Sequence, residues 1–162
     1  MSNILQHETS LYLKQHAEQP VHWQLWSDET LAEAKSADRP IFLSIGYAGS
    51  HWCQVMSRES FNDPMTAHVL NEHFCCIKVD REERPDLDKV YLSAMQLLTQ
   101  HGGGRPLNLF LDPQTLLPFF AGTYFPVDTQ NGQPGFADLL MRLHEAFDQQ
   151  REELTSQSEK LA

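Results

Sequence analysis

Two short runs of strand-forming residues, separated by helical sequence, constrain the fold of this chain more than any other feature. IFLSI, residues 41–45, and CCIKV, residues 75–79, have the length and composition of buried strands. Between them, Ser50 is expected to cap one helix, and Asp63 followed by Pro64 has the pattern that starts a second. The sequence therefore predicts a βαβ unit near the middle of the chain.

The second half of the chain predicts two further strands between two helices. A long helix is expected from residue 86 to about residue 100, ended by the glycines at 102–104. Pro106 then opens the strand LNLFL, which forms a hairpin with LPFFAG, and a last helix runs from about residue 136 to 159. This βαβ half followed by a ββα half is the thioredoxin order. We therefore expect an α/β fold with a mixed four-stranded sheet and flanking helices.

Apolar spacing predicts which helix faces pack inward. On the helix that starts at Pro64, Met65, Val69 and Leu70 are expected to face the core. On the long helix, the expected inner face consists of the apolar residues at helical spacing: Leu87, Val90, Tyr91, Ala94 and Leu98.

Residues 1–38 are expected to pack as an extension on the thioredoxin-like part, residues 39–162, within a single structural domain. Apolar and aromatic side chains recur through residues 3–26 too often for a free tail. A short helix is expected from about residue 28 to 37, and Pro40 stops it.

Charge and hydropathy exclude several classes of function. The chain has 22 acidic and 12 basic residues, for a net charge of -10, which disfavours binding to nucleic acid or to an anionic membrane. No apolar run approaches the roughly 20 residues that span a bilayer. The start shows no secretory leader, and three cysteines do not suggest a secreted disulfide framework. We expect a cytoplasmic protein with reduced thiols.

Residues 46–56, GYAGSHWCQVM, resemble the active-site turn of a thiol oxidoreductase with one sulfur missing. Disulfide exchange needs an attacking thiolate and a second thiol that resolves the mixed disulfide. The attacking position is Ser50 here, whose hydroxyl is not ionised near neutral pH and is expected to cap the helix. Cys53 lies one turn into that helix. It is either a single reactive thiol or a partly buried remnant packed beside Trp52.

The chain resembles the thioredoxin-like N-terminal domain of the spermatogenesis-associated protein 20 family. The resemblance rests on blocks that span nearly the whole chain: SLYLKQHAEQPVHW, RPIFLSIGY, HWCQVMSRESF, LNEHFCCIKVDREERPDLDKVY, GGGRPLNLFL and PFFAGTYFP. Where the family typically reads CHWCHVM and GGWP, this chain departs at Ser50, Gln54 and Arg105. The resemblance implies a helical toroid domain that would follow this one. We therefore expect the chain to be a piece of a longer protein, or else a standalone relative. His16 lies in a matched block and is expected to hold the N-terminal segment down.

The thioredoxin topology implies that three loops share one edge of the sheet, where α/β sheets bind ligands. Pro106 resembles the cis-proline of thioredoxins, whose preceding backbone pairs with an extended peptide. The candidate binding residues are His51, Trp52, Arg105 and Pro106, and the candidate catalytic positions are Cys53, Ser50 (where the nucleophilic cysteine is missing) and Asp80.

The remaining cysteines, the acidic loop and the histidines give weaker signals. Cys75 and Cys76 start the second strand at the opposite end, about 17 Å from the site, and are expected to fill the core. DREERPD is either a self-neutralising loop or part of the site, with Asp80 the best candidate for a group near Cys53. His51 and Cys53 make at most a fragment of a metal site, so no metal or cofactor is expected.

These observations support functions of different classes. The first hypothesis is a degenerate thioredoxin-like domain that lacks dithiol activity and keeps a groove for a peptide or for the family's helical toroid domain. The alternative is a monothiol oxidoreductase or redox sensor that acts through Cys53 on a protein thiol. A purely structural support for the toroid domain stays open.

Overall fold

A mixed sheet with helices on both faces forms the body of the protein. The computed structural model describes residues 2–100, 104–128 and 135–161, with side chains up to residue 150. The strands are β1 (Ile41–Gly46), β2 (Cys75–Asp80), β3 (Leu107–Leu111) and β4 (Pro118–Gly122). The helices are α1 (Leu11–Lys14), α2 (Asp28–Ala37), α3 (His51–Arg58), α4 (Pro64–His73), α5 (Pro85–Thr99) and α6 (Phe136–Leu161). Short 3₁₀ turns at Leu5–His7 and Ser60–Asn62 complete the described elements.

The strand order explains why three loops meet at one edge of the sheet. The order is β2-β1-β3-β4, with β1 parallel to β2, and with β3 antiparallel to both β1 and β4. Gly46 pairs with Asp80 where β1 and β2 end, and Ile45 lies opposite Leu107 where β3 begins. The mixed four-stranded sheet with flanking helices that the sequence predicts is therefore confirmed.

Local sequence signals account for where the helices begin. The hydroxyl of Ser50 accepts a hydrogen bond from the backbone N–H of Cys53, and the carboxylate of Asp63 accepts one from Thr66. Pro64 occupies the first turn of α4, where the missing N–H is not needed. The expected stop of α5 at Gly102 and Gly103 lies outside the described residues, but the helix itself ends at Thr99.

The N-terminal segment contributes side chains to the core and backbone bonds to the sheet. Trp23 is completely buried, and its indole Nε1 donates to Gln19 Oε1 at 2.8 Å. The backbone of Gln24 exchanges hydrogen bonds with Cys76 and Lys78, at 2.8 and 3.0 Å, so it runs parallel to the edge of β2. This segment therefore covers an edge that would otherwise be open to pairing with another chain.

Two expectations about inner helix faces are wrong in part. Met65 is 63% exposed and Val90 is 61% exposed, and Leu98 is exposed as well. On α5 the buried residues are Leu87, Tyr91 and Met95, at a spacing of four. This spacing follows one ridge of the helix, so residues at the border of the predicted stripe turn away from the sheet.

No helix in the described part of the chain has both the length and the apolar character needed to cross a membrane.

Candidate functional site

A groove of about 850 Å³ lies at the edge where β1 and β2 end and β3 begins. Tyr47, Ser50, His51 and Trp52 line one side of it, after β1. The opposite side is formed by residues around Arg105 and by the segment that follows β4: Gly104, Arg105, Gly122, Thr123 and Tyr124. A second concavity of about 720 Å³ lies at the other end of the sheet, beside Cys75 and Cys76.

Ser50 occupies the position of the nucleophile in a redox motif, but it acts as a helix cap here. Its side chain is 7% exposed, and its Oγ accepts the N–H of Cys53 at 3.3 Å. A capping oxygen satisfies one of the free N–H groups of the first helical turn. The hydroxyl therefore has a structural partner and lies mostly out of reach of solvent.

Cys53 is buried, with 2% of its surface exposed. A Cβ added to Gly46 would lie 2.6 Å from Cys53 Sγ and 2.9 Å from Tyr12 Cζ. The sulfur and the phenol therefore lie together over a glycine at the end of β1, and any larger side chain at position 46 would displace one of them. The sequence left open whether Cys53 is a single reactive thiol or a partly buried remnant. The geometry places its sulfur inside the core and not on the groove surface.

Trp52 and His51 provide the exposed surface of the first helical turn. Trp52 is 51% exposed, and its ring lies 5.0 Å from that of Tyr124 and 5.2 Å from that of His51, measured between centroids. Tyr124 is fixed by a hydrogen bond from its hydroxyl to Glu59 Oε2 at 3.0 Å. These aromatic side chains give the groove an apolar, partly exposed wall.

Arg105 and Pro106 form the other wall. The peptide bond between them is cis, and Pro106 is buried. Arg105 Nε and Nη2 donate to the two carboxylate oxygens of Asp88 at 2.9 and 2.7 Å. Both side chains of this bidentate pair are largely buried, so the pair ties the loop before β3 to α5.

Asp80 holds the N-terminal segment, and no described contact joins it to Cys53. Its Oδ2 accepts from Ser10 Oγ at 2.6 Å, and its Oδ1 accepts from the backbone N–H of Glu82 at 2.9 Å. In the loop that follows, Arg84 pairs with Asp86 at 2.9 Å, as a self-neutralising loop predicts. Arg81 instead lies over the ring of Tyr47, 3.8 Å from its centroid, on the groove wall.

Lys78 was missed by the sequence reasoning, although it interacts electrostatically with Cys53. It is 1% exposed, and its Nζ donates to Ser44 Oγ at 3.0 Å. The ammonium lies over three aromatic rings, 5.1, 4.8 and 4.3 Å from the centroids of Tyr12, Trp23 and Phe61. A lysine within a short strand of apolar residues, CCIKVD, was the available signal.

Burial changes the protonation of the groups around Lys78. Desolvation lowers the pKa of Lys78 to about 7, and Cys53 opposes this shift electrostatically. Desolvation also raises the pKa of Tyr12 well above its usual value, with Cys53 and Asp80 adding to the shift. The pKa of His16 lies well below its usual value, first because of burial and second because of Lys78.

His16 lies inside the core of the N-terminal segment. Its Nδ1 donates to the carbonyl oxygen of Tyr12 at 2.8 Å, and its ring packs edge-on against Tyr12 and Phe61. Because its pKa is lowered, the neutral ring is the stable form in the fold.

Cys75 and Cys76 are buried at the opposite end of β2 and contact the two different faces of the sheet. Burial raises the pKa of Cys75 to about 11, and burial also raises the pKa of Cys76 well above its usual value. These thiols are therefore protonated in the fold. No cluster of three or more metal-binding side chains occurs in the described residues.

The fold and the groove define a thioredoxin-like domain, and solved structures agree. Three solved structures superpose on this chain. They are a DsbH oxidoreductase, a disulphide isomerase from Xylella fastidiosa and a thioredoxin from Thermus thermophilus, with TM-scores of 0.56, 0.52 and 0.51. They share 18%, 15% and 22% identity, and cover 79%, 76% and 78% of this chain and 85%, 96% and 87% of their own. At such identities the likeness shows the fold alone.

The chain belongs to the family described as Thioredox_DsbH, a protein of unknown function (DUF255), whose model matches residues 2–162. Spermatogenesis-associated protein 20 of Rattus norvegicus is 45% identical over 160 residues, 99% of this chain and 20% of the relative. The uncharacterized protein B0495.5 of Caenorhabditis elegans is 46% identical over 152 residues, 94% of this chain and 21% of the relative. The resemblance inferred from sequence is thus confirmed, and the chain spans about a fifth of the length of these relatives.

Proposed function

We propose that this domain binds an extended polypeptide segment in the groove beside Trp52 and Pro106, and does not catalyse dithiol–disulfide exchange. The proposal rests on the structural roles of Ser50 and Cys53. Ser50 is a helix cap with a bonded hydroxyl, and Cys53 is buried beneath it.

Disulfide exchange requires contact between a thiolate and a substrate sulfur. In this domain the position that faces the groove carries oxygen, and the only sulfur of the motif lies inside the core. A protein disulfide would have to pass the first turn of α3 to reach Cys53 Sγ. The same burial argues against a monothiol oxidoreductase that forms mixed disulfides with proteins.

The groove has properties that suit an extended peptide. Trp52 presents an exposed aromatic face, and Tyr124 supports it by ring contact. On the opposite wall, the bidentate pair between Arg105 and Asp88 holds the loop before β3 in place. A fixed loop next to an exposed aromatic residue fits binding of an extended segment, because little ordering entropy is lost on binding.

Binding can be tested with an unfolded chain that has no free thiols or disulfides, such as reduced and carboxymethylated α-lactalbumin. Titration against the isotope-labelled domain should shift the NMR signals of Trp52 and of the residues around Arg105. Trp52→Ala should weaken binding by roughly ten-fold, because an anchoring aromatic is worth about 1–2 kcal/mol. Leu117→Ala is the matched control, because Leu117 is 66% exposed and lies in the turn at the opposite end of the sheet.

Two results would overturn the proposal. One is equal loss of binding in the Trp52 and Leu117 variants, which would show non-specific apolar contact. The other is reduction of insulin disulfides by the wild-type domain at a rate clearly above the uncatalysed rate. If the domain binds the helical toroid domain of a relative but does not bind the unfolded probe, the groove is a site of interdomain contact and not a peptide-binding site.

A further inference from the structure

The side chains of Cys53 and Tyr12 meet below the first turn of α3, where Gly46 leaves room for both. The Tyr12 side chain is buried, and its hydroxyl has no well-aligned hydrogen-bond partner in the described part of the chain. Cys53 Sγ is the polar atom beside that hydroxyl. The hydroxyl is therefore a buried donor that faces a sulfur, and a negatively charged sulfur would accept its hydrogen bond.

A buried cation lies against the same pair. Lys78 Nζ is 5.1 Å from the centroid of the Tyr12 ring, and it interacts electrostatically with Cys53. Its hydrogen-bond partner, Ser44 Oγ, is neutral. Because charges interact strongly away from water, an ammonium at this place stabilises negative charge on the sulfur.

His16, Tyr12 and Asp80 are further titratable groups in this region. His16, just after α1, is held neutral by its lowered pKa, and Tyr12, on α1, is held neutral by its raised pKa. Asp80 lies further along β2, where its carboxylate accepts hydrogen bonds from Ser10 and from the following loop. Cys53 is the group that opposes the lowering of the Lys78 pKa electrostatically, so a thiolate at Cys53 would pair with the buried ammonium.

We propose that Cys53 is an oxidation site for hydrogen peroxide, at which Lys78 stabilises the thiolate and Tyr12 donates to it. The thiol proton passes to the Lys78 amine, which leaves a thiolate beside an ammonium. The sulfur then attacks one peroxide oxygen, so that an S–O bond forms while the O–O bond breaks. The leaving hydroxide takes the proton from Lys78 and becomes water. Sulfur loses two electrons, peroxide gains two, and the product is a sulfenic acid.

Peroxide is the oxidant that the geometry favours, because it is small and uncharged. A protein disulfide cannot approach a sulfur that is 2% exposed, whereas a molecule of nearly the size of water enters through local opening of the first turn of α3. Cys75 and Cys76 lie at the other end of β2, so they cannot resolve the sulfenic acid as a disulfide. This activity goes beyond polypeptide binding and uses none of the groove side chains.

The test measures sulfenic acid at each cysteine by mass spectrometry, after peroxide treatment of the intact chain with a dimedone-type trapping reagent. Cys53 should be labelled roughly ten times faster than Cys75 and Cys76, whose pKa values are raised by burial. Lys78→Met should slow labelling of Cys53 by roughly ten-fold, because the variant lacks the buried cation that acts on the sulfur.

Lys89→Met is the matched control, because Lys89 is an exposed lysine on α5. In this variant Cys53 should be labelled at the wild-type rate. Tyr12→Phe removes only the hydroxyl. It should lower the labelling rate of Cys53 several-fold and leave the labelling rates of Cys75 and Cys76 unchanged. If Lys78→Met does not fold, the proposal is still tested by two measurements. These are the order of the labelling rates of the three cysteines in the wild type and the labelling rate of Cys53 in Tyr12→Phe. The proposal is overturned if Cys53 reacts no faster than Cys75 and Cys76, or if a folded Lys78→Met protein reacts at the wild-type rate.

Discussion

Replacing Lys78 with methionine should make the fold more stable at pH 6 and should remove part of its pH dependence. Methionine has a similar length and flexibility, so it can occupy the space among Tyr12, Trp23 and Phe61 without a charge. The substitution therefore isolates the free energy of burying the amine, with little change in packing.

The magnitude follows from the pKa of Lys78, which burial lowers from 10.5 to about 7. At roughly 1.36 kcal/mol per unit, the buried amine destabilises the fold by about 5 kcal/mol below pH 7. Between pH 7 and 10.5 the unfolded chain binds more protons than the folded one. The free energy of unfolding therefore rises with pH through this window, and the full cost is present only below it.

Other contacts of the amine offset part of that cost. The hydrogen bond to Ser44 and the three ring contacts together contribute about 3 kcal/mol, so the variant should be about 2 kcal/mol more stable at pH 6. From pH 6 to 8.5 the contribution of Lys78 changes by about 2 kcal/mol, so the two proteins should be nearly equal at pH 8.5.

Urea unfolding of both proteins at several pH values between 6 and 8.5 measures this difference. The raised pKa values of Cys75 and Cys76 lower stability at alkaline pH, because these thiols ionise only on unfolding, but they act equally on both proteins. The comparison therefore cancels them. Parallel curves for wild type and variant would refute the reasoning, because they would mean that Lys78 titrates alike in the folded and unfolded states.

Three further substitutions test single contacts of the site. Gly46→Ala should destabilise the fold by about 1–3 kcal/mol in urea unfolding, because the added Cβ would overlap Cys53 Sγ; a change below about 0.5 kcal/mol would contradict the packing described. Ser10→Ala should cost about 2–3 kcal/mol in the same assay, because it removes both the cap of α1 and a hydrogen bond to Asp80, whereas an ordinary surface change would cost almost nothing. Ser50→Cys restores the dithiol motif and should give measurable insulin reduction at a cost of about 1 kcal/mol from the weaker cap; a folded variant without activity would mean that more than the nucleophile has changed.

The parts of the fold that depend on local chemistry could be predicted from the sequence. Ser50 and Asp63 cap helices because their short polar side chains bond the free N–H groups of the turn that follows, which needs no distant residue. Strand order placed Gly46, Asp80 and Pro106 at one edge, because parallel strands end on the same side of a sheet.

The parts that depend on tertiary distances could not be predicted. The aromatic cage of Lys78 is built from rings on separate segments of the chain, and no spacing in the sequence indicates that they converge. In the same way, Arg105 is paired with Asp88 on α5, and Asp80 with Ser10, 70 residues away in sequence. Arg105 and Asp80 were recognised as candidates from the sequence, but the partner of each decides whether it binds a ligand or holds the scaffold.

The buried lysine bears on the function of a domain that carries serine at position 50. Packing alone does not explain Lys78, because an apolar residue of the same length would fill that space at lower free energy. A structural remnant of a redox site would therefore gain stability by replacing it. The groove and the buried lysine involve different side chains. Trp52 lines the groove and packs against Tyr124, whereas Lys78 bonds Ser44 and is not among the described residues that line the groove. Trp52→Ala should therefore weaken peptide binding and leave the oxidation rate of Cys53 unchanged. Lys78→Met should slow the oxidation of Cys53 and leave peptide binding unchanged. A variant that changed both properties would show that the two sites act as one.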